Sequence, residues 1–578
     1  MENWIDAGSL SKLKESETKV IKGGIVVFLH ENEIYALDNR CPHMGFPLHM
    51  GSLCDGILTC HWHHARFDVC SGGTLDPWAD DVPSYEVKVE DGNVWVNHVP
   101  GVQNQVEQYK LQLRKGLEQN IGLVIAKSVV ALLKANVEEK QIIEIGIEFG
   151  TKHRESGWGP GLTILTCMAN ILPKLESQGR IQALFQGLSH VARDCAGQAP
   201  NHLIGPLAGY DGDLERLKGW YRNCIEVRDT QGSERIVLTA LEKQMDVSDI
   251  SAMMVTAASD HFYMDVGHTL DFHNKAFESL EHTKDNISKQ ILSSLPPLFS
   301  NASRSEEQHR WQSPINLVTP LNEAFDQLKT IRLDFSDKAK SFNENQLLVN
   351  LLADDPLAMI DEITLLLKKG VNPIKIAQVT TVAAAERILA FHTQNDFSDW
   401  NTVLHTFTHN HAVHETLRRS NEGLIVRAIY HGAVSIYLDR FLNIPATKRP
   451  TPTEEKRSLD CDELLELLNK QQQVNQSAKW VVEYLHHGGD KQKLFNTLGL
   501  ALLREDAKFH SYQMFEAACV EYDRWDKESG VFAERAKETL IIAMTRYLAA
   551  HAPTSRELPH IGTIAWRLNR GEKLFEET

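Results

Sequence analysis

Two short runs bring cysteine and histidine close enough in the chain to bind metal together: Cys41-Pro42-His43 and Cys60-His61-Trp62-His63, with sixteen residues between His43 and Cys60. Two thiolates and two imidazoles suit either of two centres. Tetrahedral zinc takes a Cys2His2 set. A pair of sulfide-bridged irons takes the same set unequally, two thiolates on one iron and two imidazoles on the other, which raises the reduction potential above that of four thiolates. The iron pair needs one Cys and one His from each of two loops, so the pairing of the two runs matches its requirement.

Strands that can position such loops flank them. From Lys19 to Val99 the chain reads as short apolar stretches, Ile25–Leu29, Ile34–Leu37, Ile57–Thr59, Tyr85–Val89 and Val94–Val96, separated by Gly23-Gly24, Asp55-Gly56, Gly72-Gly73 and Asp91-Gly92. That alternation of β-formers and turn dipeptides predicts a small all-β unit.

The runs Leu37-Asp38-Asn39-Arg40-Cys41-Pro42-His43-Met44-Gly45 and Cys60-His61-Trp62-His63-His64-Ala65-Arg66-Phe67-Asp68-Val69-Cys70-Ser71-Gly72-Gly73 closely resemble the bacterial Rieske ferredoxins and the cluster domains of Rieske oxygenases. The resemblance covers about the first hundred residues. It implies a [2Fe-2S] cluster held by Cys41, His43, Cys60 and His63, and favours that centre over zinc. Two departures stand in the second loop, His61 where the family often has Pro and His64 where it often has Gly. Respiratory-chain Rieske proteins carry an extra cysteine in each loop, and Phe46 and Trp62 fill those places here, so the resemblance is to the low-potential, soluble kind. Cys54 and Cys70 lie off the ligand pattern and are expected to be packed thiols.

After Pro100 the texture becomes amphipathic and helical, as in 124–133 and 356–367. Similar segments recur displaced by about 240 residues. Leu132-Leu133-Lys134 matches Leu366-Leu367-Lys368, and in the same sense Glu148 matches Glu386, His153 matches His392, Trp158 matches Trp400, His190 matches His431 and His268 matches His510. The expected architecture is therefore multidomain: a small all-β Rieske domain followed by a large all-α region of two related halves. Its boundaries are a Rieske domain over 1–103, helical half one over 104–284, a linker over 285–345, helical half two over 346–550 and a C-terminal tail over 551–578.

The recurring Glu148, His153, His190, His268, Glu386, His392, His431 and His510 are candidate ligands of a second, non-haem iron site, since helical bundles build carboxylate–histidine iron centres from side chains on facing helices. Packed histidines inherited from a common ancestor would give the same recurrence. Two local spacings compete. His405 and His409 stand at i and i+4, a helical metal spacing. Asp265, His268 and His273 reproduce the Asp-x-x-His-x-x-x-x-His spacing of the catalytic motif of Rieske oxygenases, in which the histidines bind mononuclear iron.

Composition narrows the partners. A formal net charge of -17 disfavours nucleic acid and anionic membrane. The N-terminus shows no secretory pattern, the longest apolar run, Ile121–Leu133, is interrupted by Lys127, and nine scattered cysteines suggest no disulfide framework, so a cytoplasmic location is expected. No Rossmann or flavin fingerprint appears, which makes a separate reductase or ferredoxin the expected electron donor. The reading is an oxidoreductase, a Rieske-dependent oxidase or oxygenase acting on a small organic molecule. The acceptor would lie in the same chain or across a subunit contact of a homo-oligomer. The alternatives are a non-catalytic electron shuttle or redox sensor with a helical docking module, and a helical region that binds haem.

Overall fold

In the computed structural model, which describes residues 3–100, 105–336, 339–454, 459–572 and 574, the expected strands form. Ten are present: β1 (Trp4–Ser9), β2 (Thr18–Ile21), β3 (Ile25–His30), β4 (Glu33–Asp38), β5 (Ser52–Cys54), β6 (Ile57–Thr59), β7 (Arg66–Asp68), β8 (Ser84–Tyr85), β9 (Val87–Glu90) and β10 (Asn93–Asn97). They pair antiparallel in three sheets, ordered β1-β10-β9, β2-β3-β4-β8 and β5-β6-β7. The β3–β4 hairpin turns on Glu31 and Asn32, both at positive φ, which gives a two-residue turn the twist of its strands. Val26, Leu37, Leu48, Leu58 and Phe67 close the core beneath the cysteine loops.

The chain divides into two compact units, 1–145 with 558–578, and 146–557. The first is therefore larger than the β domain, and its division falls beyond the expected 103/104 boundary, which itself lies outside the described residues. Helices α1 (Gln105–Glu118) and α2 (Gly122–Lys134) belong to it because they carry side chains that bond the β domain. Gly116 lets them approach closely, since a Cβ there would meet Val124 and Ile125 at 3.1 Å. Lys127 of α2 donates to the Pro42 carbonyl at 2.8 Å and pairs with Asp80. The C-terminal helix Glu557–Asn569 presents its last carbonyls to Arg40, which donates to Leu568 and to Glu572, each at 2.7 Å. A cation at a helix C-terminus satisfies carbonyls the helix cannot.

The second unit is helical. Its centre is built from α3 (Pro160–Ile171), α4 (Ser177–Cys195), α5 (His268–Ser279), α6 (Asp399–Arg419), α7 (Arg427–Leu438) and α8 (Phe509–Trp525). Matched contacts recur in it. Gly187 of α4 packs on Leu165 of α3, and Gly432 of α7 packs on Asn410 of α6. Asp194 accepts from the Gly161 amide at 3.1 Å, and Asp439 accepts from the Thr406 hydroxyl at 2.5 Å. Each second contact lies the same distance downstream of the first, and that displacement sets His431 opposite Gln186 rather than His190.

The stretch expected as a linker, 285–345, contains the helices Ser288–Ser293, Pro296–Ser300 and Val318–Leu328 and buries Phe299, Trp311 and Leu321 completely. Its Ser, Asn and Pro content marks turns between short helices. Among the described residues no helix is long and apolar enough to cross a membrane.

Candidate functional site

The two cysteine loops are built alike. The Cys41 amide donates to the Phe46 carbonyl at 2.8 Å, and the Gly45 amide returns to Cys41 at 2.7 Å; the Cys60 amide donates to Ala65 at 2.8 Å, and the His64 amide returns to Cys60 at 3.0 Å. Gly45 and His64, at matching places, both have positive φ, 86° and 62°. That explains why Gly is common at the second position and shows that His64 adopts a glycine conformation. Phe46 and Trp62 meet with ring centroids 6.0 Å apart.

Cys41 and Cys60 are 2 % and 1 % exposed. Their sulfurs share a hydrogen bond that pushes Cys60 down to about 6 and Cys41 up, and the amides of His43 and Met44 face one sulfur while those of Trp62 and His63 face the other. The His43 and His63 rings stand edge to face, 4.9 Å between centroids. His43 Nδ1 is buried without a hydrogen-bond partner, and burial, aided by the Lys127 charge, holds the ring down at about 4. Two buried sulfurs ringed by amides and an orphaned, neutral imidazole nitrogen fit the ligand set of an iron–sulfur cluster. When bound, such a cluster carries one electron. His63 is exposed, as are His61 and His64. Cys54 and Cys70, expected to pack, are exposed free thiols, Cys54 at the end of β5 and Cys70 in the turn after β7.

The fold and these loops define an iron–sulfur β domain. A family model for the Rieske [2Fe-2S] domain matches residues 3–86. The ferredoxin component of naphthalene 1,2-dioxygenase/salicylate 5-hydroxylase systems of a Ralstonia species is 37% identical over 97 residues, 16% of this chain and 93% of the relative. The ferredoxin component of an alkene monooxygenase system of Xanthobacter autotrophicus is 31% identical over 101 residues, 17% of this chain and 83% of the relative. Among solved structures, the ferredoxin of carbazole 1,9a-dioxygenase from Nocardioides aromaticivorans is 26% identical, with a TM-score of 0.16, 16% of this chain and 97% of that chain covered. Through its N-terminal domain the chain belongs to the Rieske [2Fe-2S] family. No family model matches the helical remainder.

In the helical unit the structure brings together three of the histidines singled out in the sequence. His268 opens α5, His405 lies on α6 and His510 opens α8, with one ring nitrogen of each within 4.8 Å of the others. His405 Nε2 and His510 Nε2 are 2.9 Å apart. His268 Nδ1 bonds Asp271 at 3.2 Å, and Asp271 in turn accepts from Gln513 Nε2 at 2.6 Å.

The other candidates are elsewhere. Glu148 pairs with Lys152 at 2.6 Å, one helical turn on. His153 bonds the Phe149 carbonyl and stacks on that ring, His190 meets Tyr512 edge-on, and His392 accepts from the Gln394 amide. Glu386 is held by Arg449 at 2.7 Å and Thr539 at 3.1 Å. His431 is buried among Phe262, Trp311 and Phe325. His273 turns away from His268 to Ser251 and Phe277, and His409 turns from His405 to the Ala428 carbonyl and Tyr263. The Asp265 amide donates to Ser303. Neither the oxygenase-like spacing nor the i,i+4 pair is therefore assembled as a unit.

Deeper in the same helices is a polar core that sequence spacing did not single out. Lys275 bridges Glu278 at 2.8 Å and Glu516 at 2.5 Å, beside His411. His411 and His414 both meet Glu521, at 2.8 and 2.9 Å, and Glu415 accepts from Arg524 at 2.8 and 2.6 Å. The signal for it was a helix, α6, whose polar residues Thr406 to Glu415 continue all round where an ordinary surface helix keeps one apolar stripe.

Proposed function

We propose that this chain is a one-electron redox protein whose Rieske cluster passes electrons to a second centre in the helical unit, for oxidation or oxygenation of a small organic molecule. The observation that carries the reading is the pair of mirrored loops, with Cys41 and Cys60 buried together and His43 and His63 beside them, on a domain similar to ferredoxin components of dioxygenase and monooxygenase systems. Fusing donor and acceptor in one chain replaces a bimolecular encounter with a high effective concentration. A separate reductase or ferredoxin supplies the electrons. Inserting one oxygen atom of dioxygen into a substrate consumes two electrons and two protons and releases one water, so the cluster turns over twice. The matched contacts at 161, 165, 187 and 194 and at 406, 410, 432 and 439 support an origin of the helical unit by duplication.

A second reading, a shuttle with a helical docking module, is favoured by relatives that match this domain over nearly their whole length. Anaerobic reductive titration of the full chain, followed by admission of dioxygen in the presence of a ferredoxin reductase, separates the two. The redox-enzyme reading expects uptake of more than one electron per chain and sustained oxygen consumption. One electron and no consumption leaves the shuttle, and a Soret band replaces both with the haem reading.

A further inference from the structure

Among the described residues of the helical unit, three groups of His and carboxylate side chains have the proximity of metal ligands, and their existing partners separate them. In the group Glu278, His411 and Glu516 the Lys275 ammonium already occupies the place of a cation between the two carboxylates. In the group His414, Glu415 and Glu521, Arg524 neutralises one carboxylate and the two imidazoles 411 and 414 converge on the other. In the third group, His268, His405 and His510, the known partners are Asp271 on His268 and the facing nitrogens of His405 and His510.

Its geometry is that of a site for a metal. Two imidazole nitrogens 2.9 Å apart share either a proton or a cation, and two nitrogens each about 2.1 Å from one metal stand about 3.0 Å apart when the bonds meet at a right angle. His268 has a ring nitrogen within 4.8 Å of theirs. Its Nδ1 is engaged by Asp271, which fixes the ring and leaves Nε2 to ligate, and Asp271 is itself clamped by Gln513. A carboxylate behind a ligating imidazole is the usual support of a histidine–metal bond.

The backbone is strained to put His268 there. Tyr263, Asp265, Val266 and Gly267 all have positive φ, at 48°, 47°, 49° and 99°, and for a β-branched residue such as Val266 that is a costly conformation. Gly267 comes so close to α6 that a Cβ would lie 3.0 Å from the His409 Cβ and 3.3 Å from the His405 carbonyl. The turn thus presses the first residue of α5 against the helix that carries His405.

The geometry points to a mononuclear metal site formed by His268, His405 and His510, with Asp271 and Gln513 as positioning residues. The three rings are only partly buried, which leaves coordination positions open to a small molecule. Imidazole ligands suit iron, copper, nickel and zinc alike. Resting on the redox reading above, the metal assigned is ferrous iron, since a one-electron donor has no use for zinc.

Full-length protein without an affinity tag, loaded anaerobically with ferrous ion and desalted, tests this. The expected result is one iron per chain beyond the two matched by acid-labile sulfide, together with a high-spin ferrous–nitrosyl EPR signal on adding nitric oxide. His405→Gln and His510→Gln should lose that iron and that signal, Asp271→Asn should weaken ferrous binding by about 10- to 100-fold with helical circular dichroism intact, and His392→Gln should change neither. The EPR signal of the reduced Rieske cluster should persist in every variant. Iron that never exceeds sulfide, an extra iron unaffected by these substitutions, or zinc bound in place of iron overturns the site while leaving the cluster reading standing. Loss of the cluster signal from the unsubstituted protein overturns the redox reading on which the choice of iron rests.

Discussion

Lys275 on α5 and Glu516 on α8 meet 2.5 Å apart with side chains 2 % and 0 % exposed, and Glu278 closes on the same ammonium at 2.8 Å. A buried ion group of this kind costs more to break than it contributes when whole. Lys275→Met leaves two carboxylates facing each other without a cation, and should lower the stability of the helical unit by about 3–5 kcal/mol, read as a drop in the denaturant midpoint followed by helical circular dichroism. Replacing all three, Lys275→Met with Glu278→Leu and Glu516→Leu, should recover most of the loss. A single substitution that leaves the midpoint in place would show that the ammonium does not hold these helices.

Three buried histidines make the helical unit sensitive to acid. His409 is held down at about 4 by burial, and His273 and His431 lie well below the ordinary imidazole range for the same reason. In the unfolded chain each takes up a proton near 6.5. Between about 6.5 and 4 the unfolded state binds more protons than the folded one, so the stabilisation is complete above about 6.5 and is lost as pH falls through that window. His409 contributes on the order of 3 kcal/mol by pH 4, and His273 and His431 add to the loss in the same direction. Unfolding midpoints at pH 7.5, 6 and 5 should fall steadily, and His409→Gln should flatten the trend. Midpoints independent of pH over that range would contradict the burial of these rings.

The cluster loops were legible because their ligands are local. Cys41 with His43 and Cys60 with His63 are spaced within single turns, and the strands that present them carry their own alternation. The His268, His405 and His510 group was only partly legible, because its members come from three helices far apart in sequence and nothing in the chain between them records the contact. Recurrence at about 240 residues found His268 and His510 but also selected Glu148 and His392, which are bonded locally. Spacing found His405 yet paired it with His409, since i and i+4 share a helical face in general but not when a strained turn at Gly267 inserts against that face. Lys275 was overlooked because a lone lysine in a helix reads as solvated, and only its two carboxylate partners make burial tolerable.

The second cluster loop carries a conformational cost that can be relieved. His64 sits at φ 62°, where a residue with a side chain is disfavoured by about 1–2 kcal/mol and Gly is not, although Gly gives back about 0.5–1 kcal/mol in chain entropy. His64→Gly should therefore keep the reduced-cluster EPR signal and hold or slightly raise the melting temperature of the β domain. Cys60→Ser in the same loop should lose both colour and signal. A colourless His64→Gly protein would mean that the imidazole, and not the backbone, is what the loop requires there.

Lys127 places a charge beside the first cluster loop from outside the β domain. Its ammonium donates to the Pro42 carbonyl between Cys41 and His43, and Asp80 partly neutralises it. Reduction adds one electron to the cluster, and a neighbouring cation favours the reduced form while a neighbouring anion disfavours it. Lys127→Met should lower the reduction potential of the cluster by roughly 30–60 mV, a three- to tenfold change in the one-electron equilibrium, and Asp80→Asn should raise it. The opposite signs matter, because simple loosening of the loop would move both variants the same way. Potentiometric titration of the full chain, followed by the EPR signal of the reduced cluster, reads the two shifts directly. Equal shifts, or none in either variant, would show that α2 supports the loop without setting its electrostatics.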